Sequence, residues 1–374
     1  MKTGTLKNIR TKHFAERNMR MITAFTISSA LIFCFMFGCS FGPLTYSGPV
    51  SDHCDGRRFF NQNRASGQNF RTFLKWVLNR KQGAWQAYDG KFNPGPKPLD
   101  QVGKGELRVT FVNQSTFLIQ MDGINILTDP VWSDRASPVS FSGPKRMHPP
   151  GIRLEDLPQI DIVLVSHNHY DHLDRATLKQ LAEKYNPVVY TPLGNKALLE
   201  KLGFSRVIEL DWWQQIPATD SLQLTCVPAQ HFSGRGILDS YKTLWAGFVI
   251  GNNTGAVYFA GDTGFGPHFK QIAQRFNKIR LALLPIGAYR PEWFMSFAHL
   301  SPADALKAHF VLEAKTSIAM HFGTFPMADD SQYEPTDALK SALSNASMQQ
   351  TEFLTLKFGA GRDIAPVKVR SDEY

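Results

Sequence analysis

The chain has 374 residues, enough for one large domain or two ordinary ones, and its composition (43% hydrophobic, 20% charged, no low-complexity stretch) excludes extended disorder. The formal charge of +9 is concentrated at the start: residues 1–21 hold Lys2, Lys7, Arg10, Lys12, Arg17 and Arg20 against Glu16, a net +5, which leaves +4 for the rest. No later segment clusters Lys and Arg with interleaved aromatics, so no nucleic-acid partner is expected.

The basic stretch runs into sixteen uncharged residues, Ile22 to Phe37, followed by Gly38-Cys39-Ser40. That length is short for a membrane span, which takes about 20 residues, and suits the apolar core of a signal peptide. A buried core helix is the alternative, but six preceding cations and a Gly/Ser/Pro-rich continuation argue against it. Met36-Phe37-Gly38-Cys39 resembles a bacterial lipobox. Residues 1–39 are therefore expected to be a signal peptide or lipoprotein-type membrane anchor lipidated at Cys39, with Met19 an alternative start. The remainder would lie outside the cytoplasm, anchored in the cell envelope. Cys54 and Cys226 have neither disulfide-framework nor metal-site spacing. Buried free thiols are expected, with one disulfide as the alternative.

Residues 40–100, rich in Gly, Pro, Asn and aromatics, read as an N-terminal extension packed on the main domain and closed by the Pro-rich link at 94–98. Within it only Phe70 to Arg80 has helical apolar spacing. From Leu107 the pattern changes to apolar runs of strand length: RVTFV, TFLIQM, INILT, DIVLVS, PVVYT, RVIEL, LQLTCV, WAGFVI, AVYFAG, LALLPI and SIAMHF. Asp122-Gly123 between the second and third is a hairpin signal. Helical stretches at 176–185, 302–314 and 336–346 separate later strands. Hairpins first and strand–helix alternation later predict, for residues 101–374, a mixed α/β domain of two sheets with outer helices.

Ser166-His167-Asn168-His169-Tyr170-Asp171-His172 follows the apolar strand DIVLV and precedes a helix. Three imidazoles and a carboxylate within six residues form a dense array of nitrogen and oxygen donors, which suits zinc. In an extended loop His167 and His169 point to one side, while Asp171 and His172 come from the turn beyond. A polar loop of exposed histidines would be the bland account. Against it, further donors close other strand-like runs: His231 in PAQHFSGRG, Asp262 in YFAGDTG and His321 in AMHFGT. Each alone would pass for a structural residue; together they supply what a two-metal site needs.

This pattern resembles the metallo-β-lactamase fold, an αββα sandwich of two mixed β-sheets flanked by helices. The likeness extends to the N-acyl-phosphatidylethanolamine-hydrolysing phospholipase D branch and its bacterial relatives. It is carried by LTDPVWSDRASPVSFSGPKR (127–146), LPQIDIVLVSHNHYDHLD (157–174), VIELDWW (207–213), FAGDTG (259–264), LLPIGAYRPEWFMSFAHLSPADA (283–305) and MHFGTF (320–325). The resemblance implies two zinc ions, one on His167, His169 and His231, the other on Asp171, His172 and His321, with Asp262 bridging. It also implies that His299 serves the active site without being a main ligand, so that Asp171, Asp262 and His299 form the catalytic set. The implied activity is hydrolysis of a phosphodiester in N-acyl phosphatidylethanolamine or a related phospholipid. Gln114 stands where the family usually has a histidine on an early strand, in a position that is not a metal ligand.

Other readings stay open here. The same metals attack carbonyls, so a lactonase or carboxyl-ester hydrolase is the first rival. A metal-retaining but inactive envelope protein is the second, and seven filled ligand positions argue against it. His299 could instead cap the helix at 302–314. Trp293, Phe294, Met295 and Phe297 are either core or an apolar lip for acyl chains. Arg235 and Arg290 could pair with a phosphate or simply be solvated.

Overall fold

The computed structural model describes residues 46–62, 69–91, 93–236, 238–346 and 352–367. The expected anchor and its Cys39 fall outside these. No described helix is long and apolar enough to cross a membrane.

Two seven-stranded sheets are stacked with helices on their outer faces. The first runs in the order β14-β1-β2-β3-β4-β5-β6 and the second β13-β12-β11-β10-β9-β8-β7. In the first, β1 (Leu107–Asn113), β2 (Thr116–Met121) and β3 (Ile124–Thr128) are antiparallel. β4 (Ile162–Leu164), β5 (Val188–Pro192) and β6 (Val207–Leu210) then add in parallel. The second repeats the scheme. β7 (Gln215–Pro217), β8 (Gln223–Val227), β9 (Gly247–Asn252) and β10 (Gly255–Phe259) are antiparallel. β11 (Ile279–Pro285), β12 (Ser317–Met320) and β13 (Phe353–Leu354) continue in parallel. β14 (Gly361–Asp363) returns to pair with β1.

The continuous apolar runs follow from this layering, because the central strands β2 to β5 of the first sheet are covered on both faces. Side chains alternate across the sheet: Phe117, Ile119 and Met121 face the core between the sheets, while Leu118 faces the outer helices. α2 (Arg175–Lys184) and α3 (Lys196–Lys201) close that outer face with Leu178, Leu181, Leu198 and Leu199. Over the second sheet lie α4 (His268–Arg275), α6 (Pro302–Val311) and α7 (Glu334–Asn345). α1 (Phe70–Leu78) and the short α5 (Glu292–Met295) sit against each other, with Trp76 stacked on Phe294 at 5.0 Å. Asp122 and Gly123 both take positive φ, 52° and 78°, so the β2–β3 hairpin has the turn its dipeptide predicts.

The α/β sandwich of two mixed sheets flanked by helices is thus the fold expected from the strand and helix pattern. Strands β7, β13 and β14 and helices α3, α4 and α5 were not anticipated. Cys54 and Cys226 are buried free thiols.

Arg280 on β11 ties the base of the sandwich together. It is 1% exposed and donates to the carbonyls of Ala365, Ile364 and Gly105 and to Thr254 Oγ1. Arg280→Met keeps the volume but strands those acceptors, which costs about 2–4 kcal/mol. Urea unfolding should show a loss of that size; a loss below about 0.5 kcal/mol would mean that water replaces the guanidinium there.

Candidate metal centre

The parallel strands of both sheets point the same way, and the chain leaves them at one edge. Asp129 follows β3, the 166–174 loop follows β4, His231 follows β8, Asp262 follows β10 and His321 follows β12. This is where open α/β sheets place their ligands, beyond the carboxyl ends of the strands. The loop itself is fixed by its exit. His172 and Leu173 donate backbone N–H groups to the His169 carbonyl, and Asp174 caps α2 while accepting from Ser133 N and Oγ.

Three imidazole nitrogens converge first. His167 Nε2 lies 2.8 Å and His231 Nε2 3.2 Å from His169 Nδ1. The outer nitrogens are already engaged: His167 Nδ1 with Ser166 Oγ at 2.9 Å, and His231 Nδ1, which donates to the Ala298 carbonyl at 2.9 Å. The inner nitrogens therefore present lone pairs to one point. A second group joins Asp171 Oδ2, His172 Nε2, Asp262 Oδ2 and His321 Nε2, with His–Asp separations of 3.1 to 3.3 Å. Tetrahedral bonds of about 2.0–2.1 Å span donors about 3.3 Å apart, so both groups have the spacing of a metal shell. Asp262 Oδ2 also lies 3.8 Å from His231 Nε2 and 3.8 Å from His299 Nδ1. All seven donors are buried or nearly so, and His172 Nε2, Asp262 Oδ1 and His299 Nδ1 have no hydrogen-bond partner among the described residues. Buried polar atoms left in that state are costly unless a cation fills the space between them.

Charge divides the two groups. In the three-histidine group, burial pulls His167 and His231 well below the ordinary histidine value and His169 down to about 4. In the second group burial pulls the same way, but Asp262 and its neighbours overcome it, holding His172 well above normal and His321 at about 9. Burial also opposes ionisation of Asp171 and Asp262, yet the adjacent His172 and His321 keep both carboxyls well below the usual carboxylate range. The donor set, two carboxylates with five imidazoles, matches a hard-to-borderline divalent cation.

Behind the donors sits Asp129, which sequence reasoning passed over. Its Oδ2 accepts from His172 Nδ1 and Ser166 Oγ, both at 2.6 Å, and its Oδ1 from Ser166 N at 2.7 Å. One carboxylate thus sets the tautomer of His172 directly and of His167 through Ser166. Its position in the quoted segment LTDPVWSDR was the available signal. Gln114 has a comparable task. Its Nε2 donates to Asp171 Oδ2 at 2.9 Å, and its backbone carbonyl accepts from His321 N at 2.7 Å, where His321 takes a φ of 61°.

His299 lies at the rim, its ring 5.2 Å from His231 and 5.5 Å from His321. The capping alternative does not apply, since Ser301 caps α6. Burial lowers His299 to about 4, which leaves it uncharged at neutral pH. The arginines are engaged elsewhere: Arg290 Nε bonds Glu334 at 2.9 Å, and Arg235 lies over Tyr170 while donating to the carbonyls of Asn168 and Leu173. Of the aromatic segment only Met295 is buried, and Trp293 stays half-exposed.

Residues 124–322 match the family described as the β-lactamase superfamily domain, and the chain belongs to that superfamily as a metal-dependent hydrolase. It is 39% identical over 266 residues to the N-acyl-phosphatidylethanolamine-hydrolyzing phospholipase D 1 of Caenorhabditis elegans, covering 68% of this chain and 74% of that one. The mitochondrial enzyme of the same description from Saccharomyces cerevisiae is 37% identical over 237 residues, covering 62% and 50%. Within the superfamily the chain therefore falls in the N-acyl-phosphatidylethanolamine-hydrolysing phospholipase D-like branch. In fold it is similar to the isothiocyanate hydrolase from Delia radicum gut bacteria, with a TM-score of 0.57 at 20% identity over 69% of this chain and 99% of that one.

Asp129→Asn keeps the shape but removes the charge and one acceptor from His172 and Ser166. Metal affinity should fall about 10–100-fold, measured by competition with a chromogenic chelator. Unchanged affinity would remove Asp129 from the account.

Proposed function

We propose that this chain is a binuclear zinc phosphodiesterase of phospholipase D type, acting on N-acyl phosphatidylethanolamine or a related phospholipid. The observation that carries the reading is Asp262 Oδ2, within 3.1 to 3.8 Å of donors from both groups, a carboxylate able to serve two ions. The named activity of the nematode and yeast relatives supports the substrate class. His167, His169 and His231 would hold one zinc and Asp171, His172 and His321 the other, with Asp262 between them. When bound, such ions would activate a water and neutralise charge on the non-bridging oxygens of the phosphoryl group whose phosphorus it attacks.

The chain's own residues do the rest. Asp129 and Ser166 fix two rings, Gln114 fixes Asp171, and the buried surround excludes bulk water. His299 is uncharged, with Nδ1 unengaged among the described residues. It suits a hydrogen bond to the phosphate better than service as a cationic acid. Water adds to phosphorus, the distal P–O bond breaks, and its oxygen leaves with a proton, giving phosphatidic acid and an N-acyl ethanolamine.

Access from a bilayer is supported by α1. Phe70, Phe73, Leu74, Val77 and Leu78 are all exposed, and Lys75 lies 4.9 Å over the half-exposed Trp293 of α5. Residues 70–81 carry Arg71, Lys75, Arg80 and Lys81 and no carboxylate. An apolar, basic surface of this kind suits the membrane interface. In this reading the segment 1–39 tethers the enzyme to the envelope membrane that supplies its substrate.

Product identity tests the reaction. Mass spectrometry with N-acyl phosphatidylethanolamine should find phosphatidic acid and N-acyl ethanolamine. Diacylglycerol, free fatty acid, or rapid lactone opening without phospholipid turnover would each defeat the assignment. His299→Ala should lower kcat about 10²–10⁴-fold at unchanged zinc content.

The charge division sets a pH dependence for loading. His321, at about 9, carries a proton at neutral pH and must lose it to ligate. His172, also held well above normal, must lose its proton too, so affinity of the second group rises with pH to at least about 9. The three-histidine group meets no such competition above about pH 5, since its rings are already neutral. Zinc titration by calorimetry should resolve one tight site at about pH 6 and two at about pH 9, with proton release at the weaker one. Identical affinities at both pH values would contradict this division.

A further inference from the structure

The peptide group of His231 is held by a residue of the N-terminal extension. Asn61 is 2% exposed and lies 170 positions away in sequence. Its Nδ2 donates to the His231 carbonyl at 2.9 Å, and its Oδ1 accepts from His231 N at 3.1 Å. The same oxygen accepts from Trp245 Nε1 at 3.1 Å, and that indole also donates to the Ala229 carbonyl at 3.0 Å. β8 ends at Val227, so no β-ladder reaches His231. A side-chain amide takes the place of a neighbouring strand, pairing with both the N–H and the C=O of one residue.

Asn61 is itself fixed. Phe59, two residues earlier, is buried in the main core and donates its N–H to the Tyr241 carbonyl at 2.8 Å. Upstream, His53 stacks on Trp212 at 4.4 Å and bonds Asp211 through Nε2 at 2.7 Å. The Ala298 carbonyl orients the His231 ring, and Asn61 fixes the backbone from which that ring projects.

We propose that Asn61 is a positioning residue of the three-histidine group, so that the extension reaches the metal site through this one side chain rather than merely covering the domain. A ring whose backbone can shift by a few tenths of an ångström loses the convergence of lone pairs that a tetrahedral ion demands. The proposal rests on the reading of His231 as a ligand.

The test measures zinc affinity by chelator competition on the full chain, together with the visible absorption of the cobalt-loaded protein, which reports ligand geometry. Asn61→Ala should weaken one of the two sites about 10–100-fold and alter the cobalt bands, leaving the other site unchanged. Asn61→Asp keeps the acceptor, loses the donor and sets a carboxylate against the His231 carbonyl; it should fall between parent and Asn61→Ala. It also decides the matter if Asn61→Ala does not fold. His53→Ala, which loosens the extension while Phe59 stays buried, should bind zinc as the parent does. Affinities for the Asn61 variants within about threefold of the parent, with unchanged cobalt bands, would overturn the proposal. So would an equal loss in His53→Ala, since general loosening would then suffice. His231→Ala keeps the two readings apart: it should abolish one site, and parent-like binding there would sink the ligand assignment itself.

Discussion

The fold is organised around one electrostatic constraint: two carboxylates and five imidazoles are buried together at a single edge, with Asp262 between their two subsets. Charge and lone pairs brought so close in a low-dielectric setting repel or stay unsatisfied unless a cation or protons intervene. In the second group protons can do this, which is why His172 and His321 are held high. The three-histidine group has no carboxylate of its own, so its rings stay neutral and its lone pairs stay open. The same seven side chains thus form one cluster of open lone pairs and one in which protons occupy the place a cation would take.

Everything nearby keeps those side chains from relaxing away from the strain. Strand ends fix the backbone at five points, Asp129 and Ser166 lock two rings, and Gln114 holds Asp171. Two covered sheets make the scaffold rigid, because the central strands of the first are packed on both faces. Hydrolytic chemistry needs such preorganisation, since a displacement of about 1 Å at the reacting atoms is costly.

Much of this was legible in the sequence because the signals are local. Doubly covered strands appear as apolar runs, Asp122-Gly123 marks its own turn, and His167 to His172 crowd into six residues. What escaped has no local trace. β7, β13 and β14 are edge strands of two or three residues, too short for an alternating pattern to show. α3, with six residues, is too short for its period to show. Asp129 and Asn61 act through contacts 37 to 43 and 170 to 184 positions away. Gln114 was visible only as a departure from the family pattern, and its bond to Asp171 gives the departure a physical role: an amide N–H can orient that carboxylate as an imidazole N–H would.

The central claim is that Asp262 is shared by two metal ions. Crystals of the zinc-loaded protein, measured on either side of the zinc absorption edge, test it most directly. The account predicts two anomalous peaks flanking Asp262, one among His167, His169 and His231 and one among Asp171, His172 and His321. A single peak, or zinc elsewhere with these donors hydrogen-bonded to one another, would contradict it.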